Sequence, residues 1–442
     1  MNICKACRLT LLATALAAAA TASAQSQSFP DGTPIPEWFA QRAETPDTAG
    51  RRFVITDHGV TATDSTLLQT ERIQRVIDLA AERGGGVVVM PRGVFLSGAL
   101  FFAPGTHLHL ESGAVLKGSD DISHFPVVDT RIEGRTVRYF AALVNADRCD
   151  GFSISGSGTI NGNGLRYWRS FWLRRAVIPK CTNMDELRPR LVYVSRSNDV
   201  VLQGVTLRDS PFWTTHFYRC SRLRMEGLTI TSPFEPVKAP STDAIDLDAC
   251  TMVHISNCYM SVNDDAIALK GGKGPWADTD TTNGANRDII VEDCRYGRCH
   301  SMLTCGSESV HSRNIIVRRC HTDGARCVLT LKMRPDTPQK YEYIDISHIE
   351  GSVDRMVNVA PWTQFYDLQG RPDRPMSYAR HISLHHISLR CSMFLNMRTS
   401  DDYRLSDISL RHIEAEAETV GQYDAEAMGM SLEGVTVNGR TL

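Results

Sequence analysis

The sequence predicts an all-β protein, a single-domain right-handed parallel β-helix in which each coil stacks on the one before. Between about residues 198 and 416 one short pattern returns, for example at 252–258, 288–294 and 314–320. Each copy alternates apolar and polar residues and is bounded by Gly, Asn, Asp or Ser, which is typical of a half-buried strand. The copies recur at irregular intervals of roughly 23 to 38 residues, inside the range of stacked repeats.

Two other folds contain many short strands, the β-propeller and the β-sandwich. Propeller blades need longer and more regular repeats than these. Sandwich strands would not carry Cys and Asn-type positions in register from one copy to the next. Stacked coils explain both the irregular spacing and the positions in register. Loops of different length can point outward, and like residues lie above one another.

An amphipathic helix is predicted before the first coils. In segment 70–82 the apolar residues recur at helical spacing. They are Ile73, Val76, Ile77 and Ala80. Three glycines at 84–86 end the helix, and a strand begins at Val87. A helix laid over the open end of the stack would cap it and shield its core and strand edges.

The N-terminal residues are predicted to direct export. Lys5 and Arg8 precede an apolar run at 9–20, and Ala22-Ser23-Ala24 matches a signal-peptide cleavage site. The run is too short to span a bilayer comfortably. We therefore expect a signal peptide at 1–24, a proline-rich extended lead-in at 25–50 and the β-helix domain at 51–442. The protein would be periplasmic or extracellular, with no membrane span after signal removal.

Charge and cysteine content limit the function further. A net charge of -2 argues against a nucleic-acid binder and against a membrane-surface protein, because both usually carry a strongly basic face. Eleven cysteines follow the signal segment, an odd number, and several recur at matching repeat positions. We interpret them as small buried residues in a stack. The Cys and His spacings do not fit a zinc site and no loop fits calcium, so no metal or cofactor is expected. The oligomeric state is left open.

Three acids in two short segments are the most informative feature. Asp243 lies in Ser241-Thr242-Asp243-Ala244-Ile245-Asp246, and Asp264 and Asp265 lie in Asn263-Asp264-Asp265-Ala266-Ile267. Adjacent coils would bring them together, and burying one carboxylate beside another raises the pKa of at least one. A set of protonated and ionised acids is what glycosidic bond hydrolysis requires. The alternative for Asp264 and Asp265 is a plain Asx turn.

Three basic or titratable residues follow on the next coils. His300 is placed where it could orient an acid or the substrate. Lys332 and Arg334 share one face of a strand through their i, i+2 spacing and could bind a sugar carboxylate together. The alternative is a solvated basic edge that discourages strand pairing.

These residues resemble those of the polygalacturonase-like glycoside hydrolases, family 28. The family pattern is Asn-Thr-Asp, Gly-Asp-Asp, Gly-His-Gly and Arg-Ile-Lys on consecutive coils. The matching segments, in the same order, are Ser241-Thr242-Asp243, Asn263-Asp264-Asp265, Cys299-His300-Ser301 and Thr330-Leu331-Lys332. The resemblance extends from about Phe53 to the last coils.

The resemblance implies an inverting hydrolase that cleaves α-linked galacturonate in pectin, an acidic plant cell-wall polysaccharide. By position, Asp264 is similar to the general acid, and Asp243 and Asp265 to the pair that activates water. His300 corresponds to the histidine near the acid, and Lys332 to the lysine that binds the substrate carboxylate.

The chain departs from the family pattern at the arginine, which is replaced by Thr330. We expect Arg334 to supply the missing charge from two residues further on. The lost arginine makes a rhamnogalacturonan backbone an alternative to homogalacturonan. Segments 168–190 and 273–286 are candidates for walls that would decide between endo and exo attack.

Two other functions are compatible with the fold. A polysaccharide lyase would use a basic residue to abstract a proton and usually calcium to neutralise the uronate, whereas this chain places carboxylates there. A non-catalytic carbohydrate-binding β-helix would not need the retained acids.

Overall fold

The computed structural model describes residues 28–42, 44–46 and 50–442. The predicted signal peptide at 1–24 lies outside the described residues, as does part of the lead-in. Two α-helices are present in the described ranges, α1 (Thr70–Glu82) and α2 (Leu165–Val177), with short 3-10 helices at Glu37–Ala40, Ile55–His58 and Ile122–His124. In that same part of the chain, neither helix is long and apolar enough to cross a membrane.

Thirty strands make up the rest of the regular structure. The first fifteen are β1 (Arg52–Val54), β2 (Gly86–Met90), β3 (Gly93–Ser97), β4 (Leu100–Phe102), β5 (Thr106–Leu110), β6 (Ala114–Gly118), β7 (Val127–Ile132), β8 (Arg135–Phe140), β9 (Val144–Asp147), β10 (Ser153–Gly156), β11 (Thr159–Asn161), β12 (Val192–Ser195), β13 (Val201–Gln203), β14 (Thr206–Arg208) and β15 (Thr215–Tyr218). The remainder are β16 (Ser221–Glu226), β17 (Thr229–Thr231), β18 (Ile245–Asp248), β19 (Thr251–Ser256), β20 (Tyr259–Ser261), β21 (Ile267–Lys270), β22 (Ala285–Glu292), β23 (Arg295–Tyr296), β24 (Leu303–Cys305), β25 (His311–Met333), β26 (Lys340–Pro361), β27 (Ser377–Met397), β28 (Tyr403–Gln422), β29 (Met430–Val437) and β30 (Arg440–Thr441).

Twenty-eight of these strands form one coiled sheet, and its pairings are parallel except for the final β29–β30 pair. Each coil pairs with the next, so β15, β18, β21 and β24 lie side by side. Strands β7 and β8 form a separate antiparallel hairpin. The parallel β-helix predicted from the repeats is confirmed.

The core runs along the inside of the coils as ladders of like residues. One ladder joins Ile245, Ile267, Leu303, Leu329 and Val357, which pair in register across five coils and are all buried. Burying an aliphatic side chain of this size contributes about 1.5–3 kcal/mol, so each added coil extends a continuous apolar column. This column is the physical origin of the repeat seen in the sequence.

The first residue of each sequence repeat has a left-handed backbone conformation. Eight repeats begin at such a residue, with φ between 51° and 58°. They are Asp199, Arg222, Met252, Asp288, Asn314, Tyr343, His381 and Asp407. Asn and Asp tolerate this region better than most residues. The recurrent polar position in the sequence therefore marks a corner of the coil.

The predicted helix is present as α1, and its four apolar residues are buried in the core beside the first strands. That it closes the end of the stack stays a prediction. The eleven described cysteines are all buried, as expected, and each has a free thiol. Cys258, Cys294 and Cys320 precede residues that pair in three successive coils, which explains their spacing.

Candidate active site

The three predicted acids meet in one cleft because they occupy the same corner of adjacent coils. Asp243 precedes β18, and Asp264 and Asp265 precede β21. The amide of Ala244 donates to the carbonyl of Asp265 at 3.0 Å, so the two segments are direct neighbours. The chain at 262–266 is irregular, which allows the consecutive residues Asp264 and Asp265 to face the same cleft.

A single backbone N–H donates to two of the three carboxylates. The backbone N–H of Asp265 lies 3.0 Å from Oδ1 of Asp243 and 3.1 Å from Oδ1 of Asp264. Asn263 does not make the plain Asx turn considered above. Its side-chain amide donates to the Pro233 carbonyl at 2.6 Å, which holds the corner from the neighbouring coil.

The three acids differ in their exposure. Asp243 and Asp265 are buried, whereas the side chain of Asp264 is 26% exposed. His300 lies on the next coil, with Nδ1 3.1 Å from Oδ1 of Asp264. Lys332, on β25, places Nζ 2.6 Å from Oδ2 of Asp265. The structure therefore brings all five of these predicted residues into one cleft, with Asp264 the acid most open to solvent.

The charges around the acids drive their proton affinities apart. Burial, then the charges of Asp264 and Asp246, raise the pKa of Asp243 well above its usual range. Burial would also raise the pKa of Asp264. The charge and hydrogen bond of His300, together with Lys332, outweigh it, so the pKa of Asp264 is lowered. Burial by itself would lower the pKa of Lys332, but Asp265 and Asp264 raise it.

Arg334 lies outside the cleft. Strand β25 ends at Met333, so the i, i+2 rule does not carry the side chain of Arg334 to the face of Lys332. Its buried guanidinium forms a bidentate ion pair with Asp336, at 2.7 and 2.6 Å, and donates to the carbonyls of Gln364 and Phe365. The structure thus does not support a substrate contact for Arg334. Its guanidinium instead links the segment after β25 to the segment after β26.

A second charged cluster, which the sequence reasoning missed, lies beside the acids. Nζ of Lys270 is 3.5 Å from Asp246 and 3.4 Å from Glu308, and 4.9 Å from the centre of the Trp213 ring. Burial raises the pKa of Asp246 despite Lys270, whereas Lys270 and Lys273 outweigh burial at Glu308 and lower its pKa. Lys270 ends strand β21, directly after the segment that holds Asp264 and Asp265, and this closeness in sequence was the one available signal.

The cleft has a volume of about 660 Å³. Its walls include the turn of the β7–β8 hairpin at Glu133, helix α2 with Trp172 and Arg175, and segment 362–364 after β26. Of the two candidate wall segments, 168–190 lines the cleft. At the hairpin turn Gly134 has φ +70°, and a Cβ there would come within 2.8 Å of the Gly272 backbone. Only glycine lets the hairpin lie this close to the cleft.

Asp264, Asp265 and His300 also present donor atoms within 4.8 Å of one another, a spacing that could hold a cation. Lys332 already supplies a positive charge to Asp265 at 2.6 Å. The carboxylates are therefore compensated by the protein itself.

A parallel β-helix that brings three aspartates of adjacent coils into one cleft provides the paired carboxylates that hydrolysis of a glycosidic bond requires. The family model described as "Glycosyl hydrolases family 28" matches residues 112–342, more than half of the chain. The chain belongs to this family, which confirms the resemblance seen in the four motifs.

Curated relatives are similar at moderate identity. A probable polygalacturonase of Vitis vinifera is 29% identical over 218 residues, which cover 47% of this chain and 42% of that protein. An endo-polygalacturonase of Pectobacterium carotovorum subsp. carotovorum is 27% identical over 261 residues, covering 56% and 60%. The aligned region thus spans less than two thirds of the length of each of these relatives.

Solved structures agree in fold over nearly the whole chain. The hyperthermoactive exopolygalacturonase of Thermotoga maritima superimposes with a TM-score of 0.77 at 21% identity, covering 92% of this chain and 96% of that one. The polygalacturonase of Erwinia carotovora ssp. carotovora gives 0.68 at 19% identity, covering 90% and 99%.

Proposed function

We propose that this protein is an inverting glycoside hydrolase that cleaves α-galacturonosyl linkages in the backbone of pectin, either homogalacturonan or rhamnogalacturonan. The observation that carries the proposal is the set of three carboxylates, each in a different electrostatic environment, in one cleft. Membership of family 28 and the printed activities of the relatives support the substrate class. An exported enzyme would meet this substrate outside the cell.

Asp264 is the proton donor in this proposal. It is the most exposed of the three acids and the one paired with His300. A lone donor would need a raised pKa, and the pKa of Asp264 is lowered by the His300 charge. Nδ1 of His300 nevertheless lies 3.1 Å from Oδ1 of Asp264, so a proton can reach Asp264 along this hydrogen bond and pass from it to the glycosidic oxygen.

Asp243 and Asp265 hold the attacking water. Nζ of Lys332 lies 2.6 Å from Oδ2 of Asp265 and places a positive charge beside that carboxylate, and the raised pKa of Asp243 makes Asp243 the stronger base when it is ionised. The water loses its proton to this pair as its oxygen bonds to the anomeric carbon. The bond to the leaving sugar breaks as Asp264 protonates that sugar's oxygen.

The spacing of the carboxylates does not select inversion by itself. Because Asp243 and Asp264 accept from the same N–H, their nearest oxygens are at most ~6 Å apart, which is below the separation usual for inverting enzymes. Inversion is supported instead by the presence of two acids that can hold water opposite one donor.

The cleft also suits an acidic polymer. Arg175, Lys238, Arg326, Lys332 and Arg355 line it. Cations along a groove attract and orient a chain of sugar carboxylates. Lys332 is the cation placed to contact the carboxylate of a sugar bound at the acids.

The test is turnover of pectic oligomers by an Asp264→Asn variant. We expect the rate to fall about 10²- to 10⁴-fold, the usual contribution of a general acid, with the fold unchanged by circular dichroism. Asp57→Asn, at an exposed carboxylate outside the cleft, is the control and should match the native protein. Native turnover by Asp264→Asn would overturn the assignment. An unsaturated uronate product would indicate a lyase, and binding without new reducing ends a non-catalytic protein.

A further inference from the structure

Arg355 is an arginine of the cleft that has no counterion among the described residues. Arg355, on β26, is half-exposed and lines the same cavity as the three acids. Within the described ranges it makes no hydrogen bond and reaches no carboxylate at ion-pair distance. A half-buried guanidinium without a partner retains its full capacity to bind a planar anion such as a carboxylate in a bidentate manner.

The position of Arg355 follows from the register of the coils. Asp265, Ser301, Cys327 and Arg355 occupy the same outward position on four successive coils. Adjacent coils are ~4.8 Å apart, close to the length that one sugar unit adds to a polysaccharide chain. The backbone of Arg355 therefore lies ~14 Å along the axis from that of Asp265, and its long side chain covers part of that distance.

A neighbouring amide is held ready to bind the same ligand. Asn358 lies three residues on and pairs in register with Thr330. Its Oδ1 accepts from Nδ2 of Asn396 at 2.6 Å, which fixes the orientation of the amide. The Nδ2 group of Asn358 makes no hydrogen bond within the part of the chain that the structure describes, and the residue lines the cleft.

The other cations on this side of the acids are already engaged. Lys332 pairs with Asp265, and Lys270 with Asp246 and Glu308. Arg326 contacts Asp354 at 3.4 Å. The neighbouring coil presents neutral Thr330 to the cleft. The cations beside the acids are thus paired with carboxylates, whereas Arg355 on the next coil is not.

We infer that Arg355 and Asn358 form a uronate-binding subsite that holds the carboxylate of an acidic sugar one or two units from the bond being cleaved. This deepens the proposed function and rests on it. The guanidinium binds the carboxylate and the amide of Asn358 donates to a ring hydroxyl or carboxylate oxygen.

The test compares Arg355→Gln with the native protein on two forms of one pectic oligomer, with free and with reduced carboxyl groups. On the acidic form we expect KM to rise about 10- to 100-fold with kcat nearly unchanged, as for loss of a hydrogen-bonded charge pair. On the reduced form the two proteins should have equal KM. Arg355→Lys should recover part of the loss, and Arg411→Gln, an exposed arginine on another face, should behave as the native protein.

Three results would overturn the subsite: an unchanged KM on the acidic form, an equal loss on both forms, or a fall in kcat alone. Calorimetric binding of acidic oligomers to Asp264→Asn, with and without Arg355→Gln, separates the two proposals. If the native protein has no hydrolytic activity but Arg355→Gln weakens this binding, the proposed function fails and the subsite stands. If hydrolysis occurs and binding is unaffected, only the subsite fails.

Discussion

Replacing Lys270 by methionine removes the cation on which two buried acids depend. Its side chain is 5% exposed, and those of Asp246 and Glu308 are 0% and 11% exposed. Both oxygens of Asp246 lack a hydrogen-bond partner in the described part of the chain. Methionine keeps most of the volume but leaves both carboxylates without their counterion.

We expect Lys270→Met to lose about 3–5 kcal/mol of stability at neutral pH, the usual cost of breaking a buried ion pair. The loss depends on pH in a defined direction. Lys270 lowers the pKa of Glu308, so the stability from this pair is present above the unfolded pKa of Glu308 and is lost as the pH falls through the folded value. The gap between variant and native protein should therefore narrow in acid, where both acids take up protons.

The assay is urea unfolding followed by circular dichroism at several pH values between neutral and acidic. Lys340→Met, at an exposed strand lysine, is the matched control and should change stability by less than about 0.5 kcal/mol. Adding Asp246→Asn to Lys270→Met should recover part of the loss. A Lys270→Met variant within 1 kcal/mol of the native protein at neutral pH, or one whose deficit grows in acid, would refute the reasoning.

Three further predictions concern the acids and Arg334. Asp264→Asn should keep much more of its activity on galacturonides with good leaving groups, which need no proton donor, than on pectic oligomers. Asp243→Asn should be equally slow on both kinds of substrate. If steady-state rates show the good leaving group rescuing Asp243→Asn instead, the two residues exchange roles. Hydrogen bonds and charges of neighbouring cations outweigh burial and lower the pKa of Glu292 from 4.5 to about 2. Glu292→Gln should therefore lower the free energy of unfolding by up to about 3 kcal/mol at pH 7. In unfolding titrations this deficit should disappear as the pH falls from about 5 to about 2. Arg334→Met should lower stability by about 3–5 kcal/mol, because Asp336 becomes an unpaired buried charge, and a KM rise restricted to acidic substrates would show instead that Arg334 reaches the cleft.

Most of the fold could be predicted from the sequence, because neighbouring coils of the β-helix have similar residues at the positions that face inward. Ile245, Ile267 and Leu303 stack directly, so a repeat in sequence becomes a ladder in space. The acids were predictable for the same reason, since Asp243 and Asp265 occupy one position of successive coils.

Two features of the site could not be predicted in this way. Arg334 lies just beyond the end of β25, where strand alternation no longer decides the direction of a side chain. The ion pair between Lys270 and Glu308 joins residues 38 positions apart and depends on the path of the intervening loop. Contacts that depend on loop conformation leave no periodic pattern in the sequence.

The most direct test of the account is the anomeric configuration of the first product. Proton NMR of fresh digests of a pectic oligomer, recorded before mutarotation, would distinguish the two anomers at the new reducing end. One donor and a water held by two acids predict the β-anomer from an α-linked substrate. An initial α-anomer, or a 4,5-unsaturated uronate, would contradict the central claim.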